Sequence, residues 1–205
     1  QMEGQAKRMG SLVTDMLMLS RLETTDGQVD ELPIDIGRML REIFEDASAL
    51  GQDKQLNLQL EVDERYLLLG QESELRSAFT NLATNAVKYT PTAGRVDIRW
   101  WVDDEGGHYE VSDTGVGIED HHLQRLTERF YRVDNGRSSA QGGTGLGLAI
   151  VKHVMIRHSG VLEVDSTPGR GSCFRCHFPA KLLQLKHPDV SEAEKALIEQ
   201  SGERP

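Results

Sequence analysis

Along residues 2–23 the apolar positions Met2, Ala6, Met9, Val13 and Met16 recur at alternating spacings of four and three, the periodicity that gathers side chains on one face of an α-helix. Leu12, Leu17, Leu19 and Leu22 widen that stripe beyond a two-stranded seam. Such a helix needs partners, either the other helices of a bundle or the body of its own domain. Residues 24–31, with Asp26-Gly27, have the polar content of a linker. Beyond it, Ile36, Met39, Leu40, Ile43, Phe44, Ala47 and Leu50 predict an amphipathic helix that stops before Gly51. Residues 56–62 alternate as a strand and residues 66–69 form a short apolar one. Leu75, Ala78, Phe79, Leu82, Ala86 and Val87 then place a second helix over residues 71–89, ending ahead of Pro91.

Residues 95–102 and 109–112 predict a strand pair across a turn at residues 103–107, with Trp100 and Trp101 packed within that sheet. After Asp113 the chain is glycine-rich, then polar with short helical pieces. Two further strands, residues 162–166 and 172–178, are joined by Pro168-Gly169-Arg170-Gly171. Residues 181–205 read as a tail, polar and charged from about Lys186, with room for a helix from Ser191. Helices and strands interleave without strict alternation. The expected architecture is therefore an α/β (α+β) sandwich, a mixed sheet with helices on one face, preceded by one bundle-type helix.

Composition narrows the partners. Lys and Arg total 23 against 33 Asp and Glu, a net charge of -10, and no basic stripe emerges to neutralise a nucleic-acid backbone. No apolar run approaches the length that crosses a bilayer, so no direct membrane contact is expected of this stretch. The chain begins at Gln1 within a helical pattern, which suggests a piece of a longer protein. Cys173-Phe174-Arg175-Cys176-His177 has the spacing of a c-type haem attachment. On a strand, however, the two thiols point to opposite faces and cannot share a ligand, so they read as ordinary packing residues.

The candidate chemistry centres on Gly142-Gly143-Thr144-Gly145-Leu146-Gly147-Leu148, which runs into the apolar helical pattern of Ile150, Val151, Val154 and Met155. Glycines at a helix entrance let a phosphate approach the outward-pointing amides and the positive end of the dipole. No strand leads straight into the stretch, which disfavours a dinucleotide fold, and the missing Gly-Lys-Ser/Thr ending excludes a P-loop. Taken alone, it is equally a surface loop ahead of an ordinary helix.

Three further patterns share the chain with it. In Asn81-Leu82-Ala83-Thr84-Asn85-Ala86-Val87-Lys88-Tyr89, residues 81, 85 and 88 lie at i, i+4 and i+7 on one helical face. Amide oxygens there suit Mg²⁺, and Lys88 suits phosphate; a solvated polar face is the plain alternative. Asp113-Thr114-Gly115-Val116-Gly117 offers a carboxylate to an exocyclic amine such as that of adenine, or simply an Asp-initiated turn. Glu128-Arg129-Phe130-Tyr131-Arg132-Val133-Asp134 suits a lid that packs an aromatic and offers guanidinium groups to phosphate, or a loop anchored by Phe130.

In this order the motifs resemble those of the catalytic, ATP-binding domain of bacterial sensor histidine kinases. Residues 81–85 look like its N box, 113–117 its G1 box, Phe130 its F box and 143–147 its G2 box. The resemblance covers residues 32–180, while residues 1–23 resemble the second helix of the dimerisation domain. Residues 126–134 and 145–153 are most similar to the phosphate-regulon branch. The resemblance implies the Bergerat ATP-binding fold of the GHKL superfamily, shared with heat-shock chaperones, topoisomerases and mismatch-repair ATPases.

It also implies roles. Asn85 would be the Mg²⁺ ligand, with Asn81 beside it and Lys88 on the phosphates, these three forming the catalytic set. Tyr89 would line the adenine, Asp113 would bind its amine, and Gly115 and Gly117 would shape that pocket. Phe130, Arg132 and Arg129 would serve the lid, and Gly143, Thr144, Gly145, Leu146 and Gly147 would wrap the triphosphate. ATP and Mg²⁺ are the implied cofactors. A homodimer through the dimerisation helices and a response regulator are the implied partners, in a cytoplasmic domain of an inner-membrane parent.

Position 81 separates the relatives. Hydrolysing members of the superfamily carry a glutamate there as a general base, whereas an amide cannot take a proton near neutral pH. Transfer to a protein nucleophile is favoured. The seven histidines, His108, His121, His122, His153, His158, His177 and His187, all lie outside a dimerisation helix. The stretch is thus expected to bind Mg²⁺ and ATP without phosphorylating itself. A degenerate nucleotide-dependent interaction module and a GHKL-type ATPase are the rival expectations.

Overall fold

The computed structural model describes residues 2–24, 32–133 and 143–186. In chain order its elements are α1 (Met2–Thr24), β1 (Leu32–Ile34), α2 (Ile36–Gly51), β2 (Asn57–Val62), β3 (Tyr66–Gly70), α3 (Glu72–Tyr89), β4 (Arg95–Asp103), β5 (Gly106–Asp113), α4 (Asp120–Leu123), α5 (Gly147–Arg157), β6 (Val161–Thr167), β7 (Gly171–Pro179) and β8 (Leu183–Leu185).

The main sheet has the order β2-β4-β5-β7-β6. β2 lies parallel to β4, and every other pairing in the sheet is antiparallel. The parallel pair follows from the connection, since β3 and α3 intervene and carry the chain back before β4 begins. Period-two alternation then divides the two faces. Val96, Ile98 and Trp100 of β4, Tyr109 and Val111 of β5, and Phe174, Cys176 and Phe178 of β7 are buried beneath α2, α3 and α5. Tyr109 stacks on Phe79 of α3 with centroids 4.0 Å apart, and its buried hydroxyl donates to the Phe79 carbonyl at 3.1 Å. The opposite face carries ion pairs, Arg99 with Glu61 at 3.2 Å and Arg175 with Glu110 at 2.5 Å, so the helices occupy one face. Adjacent residues Trp100 and Trp101 consequently part company: Trp100 enters the core, while Trp101 stacks on His108 on the outer face. Cys173 and Cys176 also face opposite ways, and both are free thiols.

A second sheet, β1-β3-β8, was not expected. β3 pairs antiparallel with both neighbours, and β1 and β8 are three residues each, too short to show a period. Leu182 is buried beside β8, so residues 181–185, read from sequence as the start of a tail, belong to the fold. The chain also does not reverse at Gly51. Its φ is -84°, the helix continues into a 3-10 turn (Gln52–Lys54), and Gln55 at φ 52° makes the left-handed turn.

α1 divides along its length. Leu19 and Leu22 are buried in the domain core and the helix packs on α5, whereas Met9, Val13, Met16 and Leu17 are exposed. The C-terminal part of the helix therefore packs on its own domain, each buried leucine contributing about 1.5–3 kcal/mol, while the rest keeps an apolar stripe bare. Most of the expected linker and the helix considered from Ser191 lie outside the described residues. Among the described residues, no helix is long and apolar enough to cross a membrane.

Candidate functional site

A cavity of about 860 Å³ opens between α3, the end of β5, the first turn of α5 and the middle of α1. One wall is the polar face of α3, where Asn81, Thr84, Asn85, Lys88 and Tyr89 all line the space. The helical spacing of 81, 85 and 88 therefore has the consequence expected of it. The Asn81 amide donates to the Ser77 carbonyl at 2.9 Å, which orients the side chain with its oxygen towards α5. A methyl group added at Gly147 would lie 2.5 Å from that oxygen. The last glycine of the stretch is thus required by the close approach of two helices. Lys88 sits over the Tyr89 ring, with Nζ 4.9 Å from its centroid. A methyl group at Gly143 would come within 2.7 Å of the same ammonium, so the glycine loop and the cation stand together.

Asp113 lines the same cavity, as do Gly117, Ile118 and Phe174. Its side chain accepts from the Gly115 amide at 2.7 Å. Burial raises its pKa above the ordinary carboxylate value, and bonds from the Gly115 and Ser172 amides offset part of that rise. Gly115 serves the site through this bond and does not line the cavity. Gly117 does line it, at φ 68°.

Phe130 is tied to the glycine-rich stretch where its amide donates to the Gly145 carbonyl at 2.8 Å. Phe130 itself is 55% exposed, with φ 61°, and does not line the cavity. An aromatic packed by a closed lid was the expectation; in this structure Phe130 meets Gly145 through its backbone. Its neighbour Tyr131 lines the cavity instead, held by a 2.5 Å hydrogen bond to His122 and by the Arg125 guanidinium over its ring. Arg132 lines the cavity, while Arg129 pairs with Glu23 of α1. Gly143, Thr144, Gly145 and Gly147 also face the cavity. Leu146 does not: it is buried in the core, because the first turn of α5 directs it inward. Gly142 lies outside the described residues.

Two charged residues of the lining were missed in the sequence. Asp15 of α1 lines the cavity and accepts from the Thr144 hydroxyl at 2.7 Å. Lys54 also lines it, from the turn after α2. Neither sits in a motif, and each reaches the site only through folding of a remote segment.

A mixed sheet covered by helices on one face, with a polar helix face and a glycine-rich segment around one cavity, defines an ATP-binding α/β sandwich. Residues 70–182 match the family described as histidine kinase-, DNA gyrase B-, and HSP90-like ATPase, and the chain belongs to that family. It is similar to the phosphate regulon sensor protein PhoR of Pseudomonas aeruginosa, at 52% identity over 91% of this chain and 42% of that protein. The protein of the same name in Haemophilus influenzae is 36% identical over 91% of this chain and 43% of that protein. Among solved structures, full-length ShkA in complex with AMPPNP superposes with a TM-score of 0.74 at 30% identity, covering 87% of this chain and 36% of that one. The chain spans roughly two-fifths of the length of these curated relatives, by the coverage just given.

Proposed function

We propose that this chain is the ATP-binding catalytic part of a sensor histidine kinase of the phosphate-regulon type, delivering the γ-phosphate of ATP to a histidine on another segment. The observation that carries this reading is the face of α3, where Asn81, Asn85 and Lys88 line one cavity opposite Gly143 and Gly145. An amide at position 81 supplies no base to activate water, so the phosphate is held for a protein nucleophile.

The residue roles are those the family resemblance implies. Asp113 accepts from the adenine amine, and Tyr89 lies along the ring. Lys88 neutralises phosphate charge, and the amides at the start of α5 meet the phosphate oxygens. Among the described residues, no group of three or more His, Cys, Asp and Glu could hold a metal. The Asn85 amide oxygen suits Mg²⁺ as one ligand, with ATP phosphates and water supplying the others, and the ion would stabilise charge on the transferring group. The similarity to AMPPNP-bound ShkA supports ATP as the nucleotide. A dimer formed through the exposed stripe of α1, a response regulator as the next acceptor, and a cytoplasmic position in a membrane-anchored parent complete the proposal.

The test is phosphotransfer in trans. With [γ-³²P]ATP, Mg²⁺ and a separate protein carrying a histidine-bearing acceptor helix, label should appear on the acceptor, resist alkali and be lost in acid. Asn85→Ala should abolish it. Nucleotide binding with no label on a competent acceptor would instead indicate an interaction module. Steady phosphate release without acceptor would indicate a hydrolase.

A further inference from the structure

An α-helix leaves its last four carbonyls without intrahelical donors. A glycine beyond the end commonly allows the chain to fold back and satisfy them. α3 has no such glycine. It ends at Tyr89, followed by Thr90 in an extended conformation (φ -84°, ψ 128°) and by Pro91, which has no amide hydrogen to give. The carbonyls are satisfied in another way. That of Ala86 accepts from the amide and hydroxyl of Thr90, at 3.0 and 2.6 Å, and that of Tyr89 accepts from the Val116 amide at 3.3 Å. The carbonyls of Val87, Lys88 and Thr90 all accept from one group, the Lys54 ammonium, at 2.9, 2.7 and 3.0 Å.

Those three bonds use all three hydrogens of the ammonium. Among the described residues no carboxylate pairs with Lys54, so its charge faces the negative end of the α3 dipole. Burial, then the like charge of Lys88, hold its pKa below the usual lysine value. The Lys54 carbonyl meanwhile accepts from the Ala93 amide at 2.9 Å, fixing the loop that leaves the helix. The turn held in this way is the turn that presents Lys88 and Tyr89 to the cavity, and Lys54 binds the carbonyl of Lys88 itself.

We propose that Lys54 is a positioning residue for nucleotide binding: by capping α3 from outside every motif, it sets Lys88 and Tyr89 against the phosphates and the base. The inference rests on the ATP reading above.

A double-mutant cycle tests it. Calorimetric titration with Mg²⁺-ATP should show Lys54→Met raising Kd about tenfold, and the Lys54→Met/Lys88→Met double variant should be no more than about twofold worse than Lys88→Met. Amide hydrogen exchange gives a second reading that needs no nucleotide. In Lys54→Met it should accelerate at residues 86–90 and stay unchanged at residues 75–82. Lys54→Gln, which keeps an amide donor, should lie between the two and serves where the methionine variant does not fold. Unchanged affinity with a lowered Tm, fully additive effects, or uniformly faster exchange would each reduce Lys54 to a general stabiliser and overturn the proposal. If the unmodified chain binds no Mg²⁺-ATP, the function proposed above fails; unchanged exchange at residues 86–90 overturns the cap independently.

Discussion

The hydroxyl of Thr144 donates to the carboxylate of Asp15 at 2.7 Å, joining the glycine-rich segment to the N-terminal helix. Nearer the C-terminus of the same helix, Glu23 pairs with Arg129 and also lies 3.4 Å from His153 of α5. Two acids of α1 thus hold Thr144 and Arg129. Because Asp15 lines the cavity, its charge faces the region into which phosphate would enter. Asp15→Asn keeps a hydrogen-bonding group and removes that charge, so affinity for Mg²⁺-ATP should rise about three- to tenfold at low salt and less at high salt. Calorimetric titration at two ionic strengths checks this; a salt-independent, unchanged Kd would place the carboxylate outside the field of the phosphates.

Gly147 and Gly145 should fail differently when replaced by alanine. At position 147 the new methyl meets the Asn81 oxygen and pushes α3 and α5 apart, which should lower stability by about 1–3 kcal/mol along with nucleotide affinity. At position 145 the backbone sits at φ 74°, and the methyl would approach the Phe130 backbone at 2.8 Å. That strain falls on the Phe130–Gly145 contact, away from the sheet. Gly145→Ala should weaken ATP binding with the sheet still folded, as judged by unchanged far-ultraviolet circular dichroism beside a raised Kd.

Asp113 carries a cost in the folded state. Its pKa is raised by burial, so the folded chain holds the proton more tightly than the unfolded chain does. The sign follows from linkage: the associated stability is fully present below the unfolded carboxylate pKa and is lost as pH rises through the folded value. At neutral pH the buried charge is unfavourable, and Asp113→Asn should raise Tm at pH 7 with the gain shrinking towards pH 4. The same substitution removes the carboxylate proposed above to accept from the adenine amine, so ATP affinity should fall about tenfold or more. Thermal melts across that pH range and ATP titration at pH 7 separate the two effects.

Tyr109→Phe serves as a counterpart remote from the chemistry. It deletes the buried bond from the hydroxyl to the Phe79 carbonyl while retaining the ring stack, and should lower unfolding free energy by about 1–2 kcal/mol. ATP affinity should be unchanged within about twofold. Urea denaturation and nucleotide titration of the same variant measure both quantities.

Local periodicity determined what depends on neighbours along the chain. A pitch of 3.6 residues puts Asn81, Asn85 and Lys88 on one face in any α-helix, and alternation along a strand sends Cys173 and Cys176 to opposite sides of any sheet. That the motifs at residues 81–89, 113–117 and 143–147 belong together was legible in their order, and residues of all three line one cavity. Tertiary structure alone decided the rest. Thr144 meets Asp15 across 129 positions and Lys54 reaches Val87 across 33, separations that leave no periodic trace. β1 and β8 are too short to signal themselves and exist as strands because β3 offers both edges. Phe130 is exposed and Leu146 buried although both lie in motifs, because side-chain direction there is set by the turn into α5 and by what packs against it. The sequence determined which groups could bind a nucleotide; the packing of α1 on α5 and of α2 on α3 decided how they are held.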